Sequence, residues 1–203
     1  MAIEACHDLS KHHLDPLKAL TKLHTLSMRS LCFIPCLEGL NELQVLKIHS
    51  ISGDLLDEDT IQDLKLESLK KLRSLSMVEL HPIKSFKHIG ALPSLEELSL
   101  SKIYRLESLE GLDGLPSLHT LRLEKLEQLK PSHMQILERL PKLKKLSLKR
   151  CPKLLNTESL LPLISRGIVL HLEPTSKDLE LLQDFINKLP KDVQERVVLE
   201  KSP

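Results

Sequence analysis

Cysteine and histidine side chains are the first candidates for chemistry in this chain, because they are common zinc ligands and redox-active groups. Cys6, His7, His12 and His13 cluster near the start of the sequence, but no second pair follows at zinc-finger spacing. A frayed polar terminus explains this cluster better than a zinc site does. We therefore predict no metal ion and no cofactor.

The other cysteines are candidates for redox chemistry. Cys32 and Cys36 stand four residues apart, and Cys151 lies far along the chain. A redox switch requires a thiolate that a neighbouring cation stabilises, whereas cysteine among leucines is more often a small buried apolar group. We interpret these cysteines as packing residues.

Known catalytic motifs are missing from the sequence. It contains no glycine-rich phosphate loop, no G-x-S-x-G nucleophile elbow and no H-E-x-x-H zinc-protease motif. The acidic stretch from Asp54 to Glu67 lacks the glycine and the final glutamate of a calcium-binding loop. We interpret that stretch as a solvated outer helix with an acidic first turn, and we predict that the chain is not an enzyme.

The charge of the chain is nearly balanced, with 29 Lys and Arg against 28 Asp and Glu and a net charge of +1. Such a chain has no long-range field that would attract nucleic acids or anionic membranes. No apolar run approaches the roughly 18 residues of a membrane span, and the first residues lack the regions of a secretory signal. These features predict a soluble protein of the cytoplasm, with no membrane partner.

One phrase, Leu-x-x-Leu-x-apolar, recurs along the chain. It occurs six times, as LHTLSM, LQVLKI, LRSLSM, LEELSL, LHTLRL and LKKLSL, and GIVLHL is a seventh, degenerate copy. The second leucine recurs at intervals of 20 to 29 residues. Alternating leucines place apolar side chains on one face of a short strand, and only stacking of the copies buries that face. The phrase therefore predicts about seven parallel strands.

The segments between the phrases show a different spacing. Leucines recur every third residue from Leu106 to Leu118, which is typical of a 3-10 helical return. Pro93, Pro116 and Pro141 each follow a leucine just before a strand phrase. Because proline restricts the backbone of its own residue and of the preceding one, these prolines are expected to end the returns.

Phrase, copy number and period resemble the leucine-rich-repeat superfamily over residues 14–175. The resemblance implies an α/β solenoid with a curved parallel sheet on its concave face and short helical or 3-10 returns on its convex face. One column departs from the family, in which Asn or Cys is usual; it reads Leu31, Ile51, Leu80, Ile103, Leu126 and Cys151. The irregular repeats are most similar to those of plant intracellular immune receptors (NLR proteins), with bacterial effectors as the other possibility.

The repeats and the ends together predict a single domain over residues 1–203. Residues 1–20 form an N-terminal cap, residues 21–175 about seven repeats, and residues 176–203 a C-terminal capping helix and edge strand. The helix is expected from Lys177 to Leu189, with Thr175 or Ser176 as its N-cap and Pro190 as its stop. The sequence RVVLE, at 196–200, supplies the edge strand.

Residues that alternate with the buried leucines form the candidate binding surface. The predicted partner-binding residues are Arg29, Lys47, His49, Glu97, Ser99, Arg122, Glu124, Lys145, Lys149 and His171. Concave solenoid faces are habitual binding surfaces, so we predict a non-catalytic protein–protein interaction module. The resemblance implies a role in intracellular innate immune recognition, or as an effector that acts in the cytoplasm of a host.

A basic cluster supports an alternative function. Residues 142–153 contain Lys142, Lys144, Lys145, Lys149, Arg150 and Lys153 without an acidic residue. Such a cluster suits a phosphate or nucleic acid, but the small net charge and only four aromatic residues favour an acidic protein surface instead. A further alternative is an adaptor subunit of an enzyme complex such as a ubiquitin ligase.

Overall fold

The computed structural model describes residues 1–4, 11–31, 33, 35–51, 59–80, 83–87, 91–155, 157–174 and 176–200. Its strands form one nine-stranded parallel sheet in which spatial order follows sequence order. The strands are β1 (Ala2–Glu4), β2 (Thr25–Leu31), β3 (Val45–Ile51), β4 (Ser74–Leu80), β5 (Glu97–Ser101), β6 (Thr120–Glu124), β7 (Lys145–Lys149), β8 (Val169–Glu173) and β9 (Val197–Leu199). The chain is therefore an α/β protein built from a repeating unit.

Short helices connect the strands. The α-helices of the described ranges are α1 (Thr157–Ser165), α2 (Ser176–Lys188) and α3 (Lys191–Gln194). The 3-10 helices cover Lys11–Ala19, Asp59–Leu64, Leu66–Ser68, Leu112–Gly114, Pro131–Arg139 and Pro152–Leu154. Within the described part of the chain, no helix has both the length and the apolar character needed to cross a membrane.

Two rows of buried side chains run along the sheet, because each leucine phrase pairs in register with the next. The first row is Leu26, Leu46, Leu75, Leu98, Leu121, Leu146 and Leu170, and none of these is more than 1% exposed. The second row is Met28, Ile48, Met77, Leu100, Leu123, Leu148 and Leu172. Full burial of such a side chain contributes about 1.5–3 kcal/mol, so stacking stabilises strands that cannot form alone.

A hydrogen-bonded turn precedes the strands. The Leu95 N–H donates to the Leu92 carbonyl at 3.2 Å, with Pro93 at the second position of the turn. The equivalent turns before β6 and β7 contain Pro116 and Pro141. Proline suits this position because its fixed φ matches the turn, and the three prolines do mark the start of strands.

Six repeats carry a residue with left-handed backbone, at the next-to-last position of β2, β3 and β4 and directly after β5, β6 and β7. These residues are Ser30, Ser50, Glu79, Lys102, Lys125 and Arg150, with φ between 52° and 59°. The N–H groups of Lys102 and Lys125 donate to the carbonyl oxygens of Glu124 and Lys149, at 2.9 and 3.0 Å. Backbone-to-backbone bonds thus satisfy the turns at Lys102 and Lys125, where the next residues, Ile103 and Leu126, are apolar and cannot form a side-chain bond.

The seven expected strands are present, and β9 lies at the edge of the sheet where RVVLE is expected. Helix α2 begins one residue earlier than the sequence predicts, at Ser176, and ends one residue earlier, at Lys188. Strand β1 and helix α1 are not anticipated. Strand β1 pairs with β2 and extends the sheet beyond the first leucine phrase.

Several expectations concern residues outside the described ranges. They involve Cys6, His7, Cys32, the N-cap at Thr175 and residues 52–58 of the acidic stretch. The side chains of His12 and His13 also lie outside what the structure describes.

Candidate functional site

All of the predicted partner-binding residues lie on strands β2–β8, at positions that alternate with the two buried rows. We call this surface the exposed sheet face. Its accessible members are Thr25, Ser27, Arg29, Val45, Lys47, His49, Ser74, Ser76, Val78, Glu97, Ser99, Thr120, Arg122, Glu124, Lys145, Lys149, Val169 and His171. Ser101, Ser147 and Glu173 hold positions on the same face but are buried. Parallel pairing holds these side chains in three registered columns.

The N-terminal end of the exposed sheet face is cationic. Arg29 and Lys47 are exposed, and neither forms an ion pair with a side chain that the structure describes. His49 is the register partner of Arg29, and its Nε2 lies 3.6 Å from a Glu79 carboxylate oxygen. This end therefore offers positive charge for which the described part of the face supplies no counterion.

The centre of the exposed sheet face carries short side chains. Ser76 on β4 pairs in register with Ser99 on β5, and Val78 pairs with the buried Ser101. Ser74 pairs with Glu97, which is exposed. Longer charged side chains flank this group, from Lys47 on β3 and from Arg122 on β6. A partner can therefore approach the backbone most closely around Ser76 and Ser99.

Ion pairs occupy the C-terminal end of the exposed sheet face. The Arg122 guanidinium lies 3.1 Å from the Glu97 carboxylate. Lys149 Nζ lies 2.7 Å from Glu200 Oε2 and 3.6 Å from Glu173 Oε2. His171 Nδ1 lies 3.1 Å from the other oxygen of Glu200.

The Glu200 network links three neighbouring strands. Its hydrogen bond to Lys149 lowers the pKa of Glu200, and the contact with His171 lowers it further. The same bond to Glu200 raises the pKa of Lys149. Because Glu200 directly follows β9, this network ties the edge strand to β7 and β8 while both groups are charged.

Residues 142–153 contain no acidic residue, but the structure brings Glu173 and Glu200 from later segments to part of this cluster. Arg150 Nε lies 3.3 Å from Glu173 Oε1, and Lys149 contacts both Glu173 and Glu200. The physical reason is register, since Glu173 stands opposite Lys149 on the next strand. No ion pair with a described side chain is formed by Lys142, Lys144 or Lys145. The cluster therefore differs along its length, because Lys149 and Arg150 are paired with carboxylates and these three lysines are not.

One further ion pair joins two residues that are not among the predicted partner-binding residues. Lys102 Nζ lies 2.8 Å from Glu79 Oε1, and this hydrogen bond raises the pKa of Lys102. Both residues have left-handed backbone and hold equivalent positions in adjacent repeats, Glu79 near the end of β4 and Lys102 directly after β5. Alignment of that repeat position would have revealed the pair.

Cys151 is a buried structural thiol. Its side chain is 1% exposed, and the Sγ–H contacts the carbonyl oxygens of Lys149 at 3.3 Å and Leu123 at 3.6 Å. Burial raises the pKa of this thiol to about 11, so it stays protonated at neutral pH. A protonated, enclosed thiol is a poor nucleophile and a poor metal ligand.

One further contact joins a hydroxyl and an imidazole. Ser108 Oγ lies 3.2 Å from His133 Nδ1, and the same oxygen accepts the Glu110 N–H at 3.1 Å. Among the described contacts, no carboxylate orients this imidazole as a triad would require. The described residues also include no group of three or more His, Cys, Asp or Glu able to hold a metal ion.

Comparison with known proteins adds no relative: no family model matches this chain, and no curated protein is significantly similar to it in sequence. The exposed sheet face carries accessible polar side chains in register on seven consecutive strands of the described structure. It combines a cationic end, a floor of short side chains and a network of ion pairs.

Proposed function

We propose that this chain belongs to the leucine-rich-repeat superfamily and that its sheet is the concave face of a curved solenoid. Support comes from leucine phrases that pair in register on consecutive parallel strands. The 3-10 and α-helical segments between strands supply returns of the kind that such a solenoid needs. In repeat folds each unit contacts its neighbours and leaves one long surface open.

The function that this geometry supports best is non-catalytic binding of another protein through the exposed sheet face. The observation that carries the proposal is the polar face itself, which continues in register across β2–β8. At a strand spacing of about 4.8 Å, seven strands span roughly 29 Å. A surface of that length accommodates a folded partner or an extended segment, with the short side chains of β4 and β5 admitting the closest approach.

The biological context of this proposal is intracellular: recognition in innate immunity, or action as an effector in a host cell. It is supported by the irregular repeat lengths and by the leucine phrases, which resemble those of immune receptors. Service as an adaptor of an enzyme complex would use the same surface, because an adaptor also works by holding a second protein.

Bulky substitutions on the floor of the face test the proposal. We expect S76R/S99R to abolish capture of the partner protein from extracts of the source cells, because the new side chains block close approach. The matched control is S132R/Q135R, which adds the same charge at two exposed positions on the return Pro131–Arg139. Affinity capture followed by mass spectrometry measures the outcome, and thermal unfolding verifies that each variant is folded.

The two variants must behave differently if the face is the binding surface. A partner set that survives S132R/Q135R and disappears with S76R/S99R supports the proposal. Capture of the same proteins by a folded S76R/S99R variant would show that the partner binds elsewhere.

A further inference from the structure

Three lysines surround the amino end of β7, and we call them the amino-end lysine patch: Lys142, Lys144 and Lys145. Lys142 and Lys144 are exposed, and Lys145 is partly exposed at the first position of the strand. The Lys144 and Lys145 N–H groups both donate to the His119 carbonyl, at 2.9 and 3.0 Å. The backbone that carries the patch is therefore fixed against the neighbouring repeat.

No acidic residue occupies the equivalent positions of the adjoining repeats. On one side these positions hold Ser117, His119 and Thr120, and on the other Arg166, Ile168 and Val169. None of the three lysines forms an ion pair with a described side chain. Their charges consequently lack the cross-repeat compensation seen elsewhere in this fold.

The same edge of the sheet is compensated in earlier repeats. Lys71 Nζ lies 2.6 Å from Glu42 Oε1, and these residues hold the position equivalent to Lys142. Arg73 lies 3.6 Å from Glu96, and these residues hold the position equivalent to Lys144. The contrast marks the amino end of β7 as a place where an outside group can supply the missing negative charge.

Arg166 adds positive charge beside the patch, but both terminal nitrogens of its guanidinium already donate hydrogen bonds to backbone carbonyls. Its guanidinium donates to the carbonyl oxygens of Leu137 at 3.1 Å, Leu140 at 3.0 Å and Glu138. The free donors are therefore lysine ammonium groups, which act as point charges. Because each ammonium is an independent point charge, each lysine can pair with a different carboxylate of an acidic segment.

The polar surroundings of the patch extend towards earlier repeats. Ser117 also lines a cavity of about 240 Å³ together with Gln44, Arg73, Ser94 and Glu96. A segment that crosses the patch can continue over this cavity, where hydroxyl and amide groups are available for hydrogen bonds. The aromatic residues lie in other parts of the chain, so the patch lacks the stacking platforms of single-stranded nucleic-acid sites.

We propose that the amino-end lysine patch binds an acidic, Asp- and Glu-rich segment of a protein partner. This inference rests on the proposed protein-binding function and names the chemistry of the bound segment. The carboxylates of the segment would pair with Lys142, Lys144 and Lys145, which have no such partner within the described chain.

Charge reversal with a matched control tests this inference. The probe is a fluorescently labelled peptide of alternating Glu and Ser, and its binding is followed by fluorescence anisotropy. We expect K142E/K144E/K145E to weaken binding by at least about tenfold relative to the wild type. The control K18E/K70E/K130E makes the same change in net charge at three exposed lysines in other repeats, and we expect it to retain most of the affinity.

Three results would overturn the inference: no peptide binding by the wild type, equal weakening in both variants, or tighter binding of single-stranded RNA through the same lysines. Failure here is distinguishable from failure of the proposed function. If S76R/S99R removes the captured partner while the wild type ignores the acidic peptide, the inference fails and the binding face stands.

Discussion

At the scale of single residues, position in the repeat decides whether a polar group is free or structural. Cys151 occupies the repeat position that holds Leu126 one repeat earlier, and both side chains are buried. The cysteine thus fills a leucine site and directs its weak donor to backbone carbonyls. Its chemistry is suppressed by the same burial that stabilises the fold.

The raised pKa of Cys151 predicts a loss of stability at alkaline pH. The ordinary thiol pKa of 9.0 rises to about 11 in the folded chain, so between these values the unfolded thiol ionises and the folded one does not. The free energy of unfolding should fall by about 3 kcal/mol across this range from this group alone. Denaturant unfolding of the wild type and of C151A from pH 8 to pH 11 measures it.

The stability gap between wild type and C151A should narrow as pH rises from 9 to 11, because the variant has no thiol at this position. Leu126→Ala controls for the cavity, because it empties the equivalent position of the preceding repeat. The difference in unfolding free energy between the wild type and Leu126→Ala should be the same at every pH. A constant gap for C151A would contradict the structural account of this thiol.

Sequence alternation identifies which side chains share the exposed sheet face, but it does not by itself identify the ion pairs. Lys149 and Glu173 fall in the same column of consecutive repeats, so their contact follows from the repeat alignment. The contact of Lys149 with Glu200 does not follow, because β9 carries no leucine phrase to set its register.

At the scale of elements, a strand that carries a leucine phrase can be predicted from the sequence, whereas a strand without the phrase is missed. Strand β1 has one buried apolar residue, Ile3, and forms by pairing with β2. Helix α1 buries Leu160, Leu163 and Ile164 at helical spacing, but Pro162 within it weakens the helical signal. Both elements depend on packing against the repeats, which local sequence does not encode.

The docking of β9 should depend on pH through Glu200. Because the pKa of Glu200 is lowered in the folded chain, its contribution is present above its ordinary value of 4.5 and is lost as pH falls through the folded value. We expect E200Q to speed amide hydrogen exchange at residues 170 and 200 at pH 7, where these amides bond across β8 and β9. The global free energy of unfolding should change by less than about 1 kcal/mol.

Below the folded pKa of Glu200 the exchange rates of wild type and E200Q should converge, because the carboxyl is then neutral in both. Glu195→Gln is the matched control, since Glu195 is exposed, belongs to the same segment and forms no ion pair with a described residue. Equal exchange at pH 7 in E200Q and the wild type would show that the network does not hold β9.

At the scale of the whole molecule, the parallel strands β2–β8 in sequence order generate one continuous polar surface. Its charge changes along the sheet, from Arg29 and Lys47, which pair with no described acidic side chain, past Ser76 and Ser99 to the Glu200 network. The leucine phrases predict that surface in outline. The positions at which the charge of that surface changes depend on strand register and on the edge strands, which are known only from the structure.

The central claim, that the exposed sheet face contacts a protein partner, is tested most directly by site-specific photo-crosslinking. A benzophenone amino acid replaces Ser76 or Ser99 on the face, and Ser132 or Gln135 on the return serves as the control. In source-cell extracts, we predict covalent adducts with a partner from positions 76 and 99 and none from positions 132 and 135. Adducts from the return positions alone would contradict the claim.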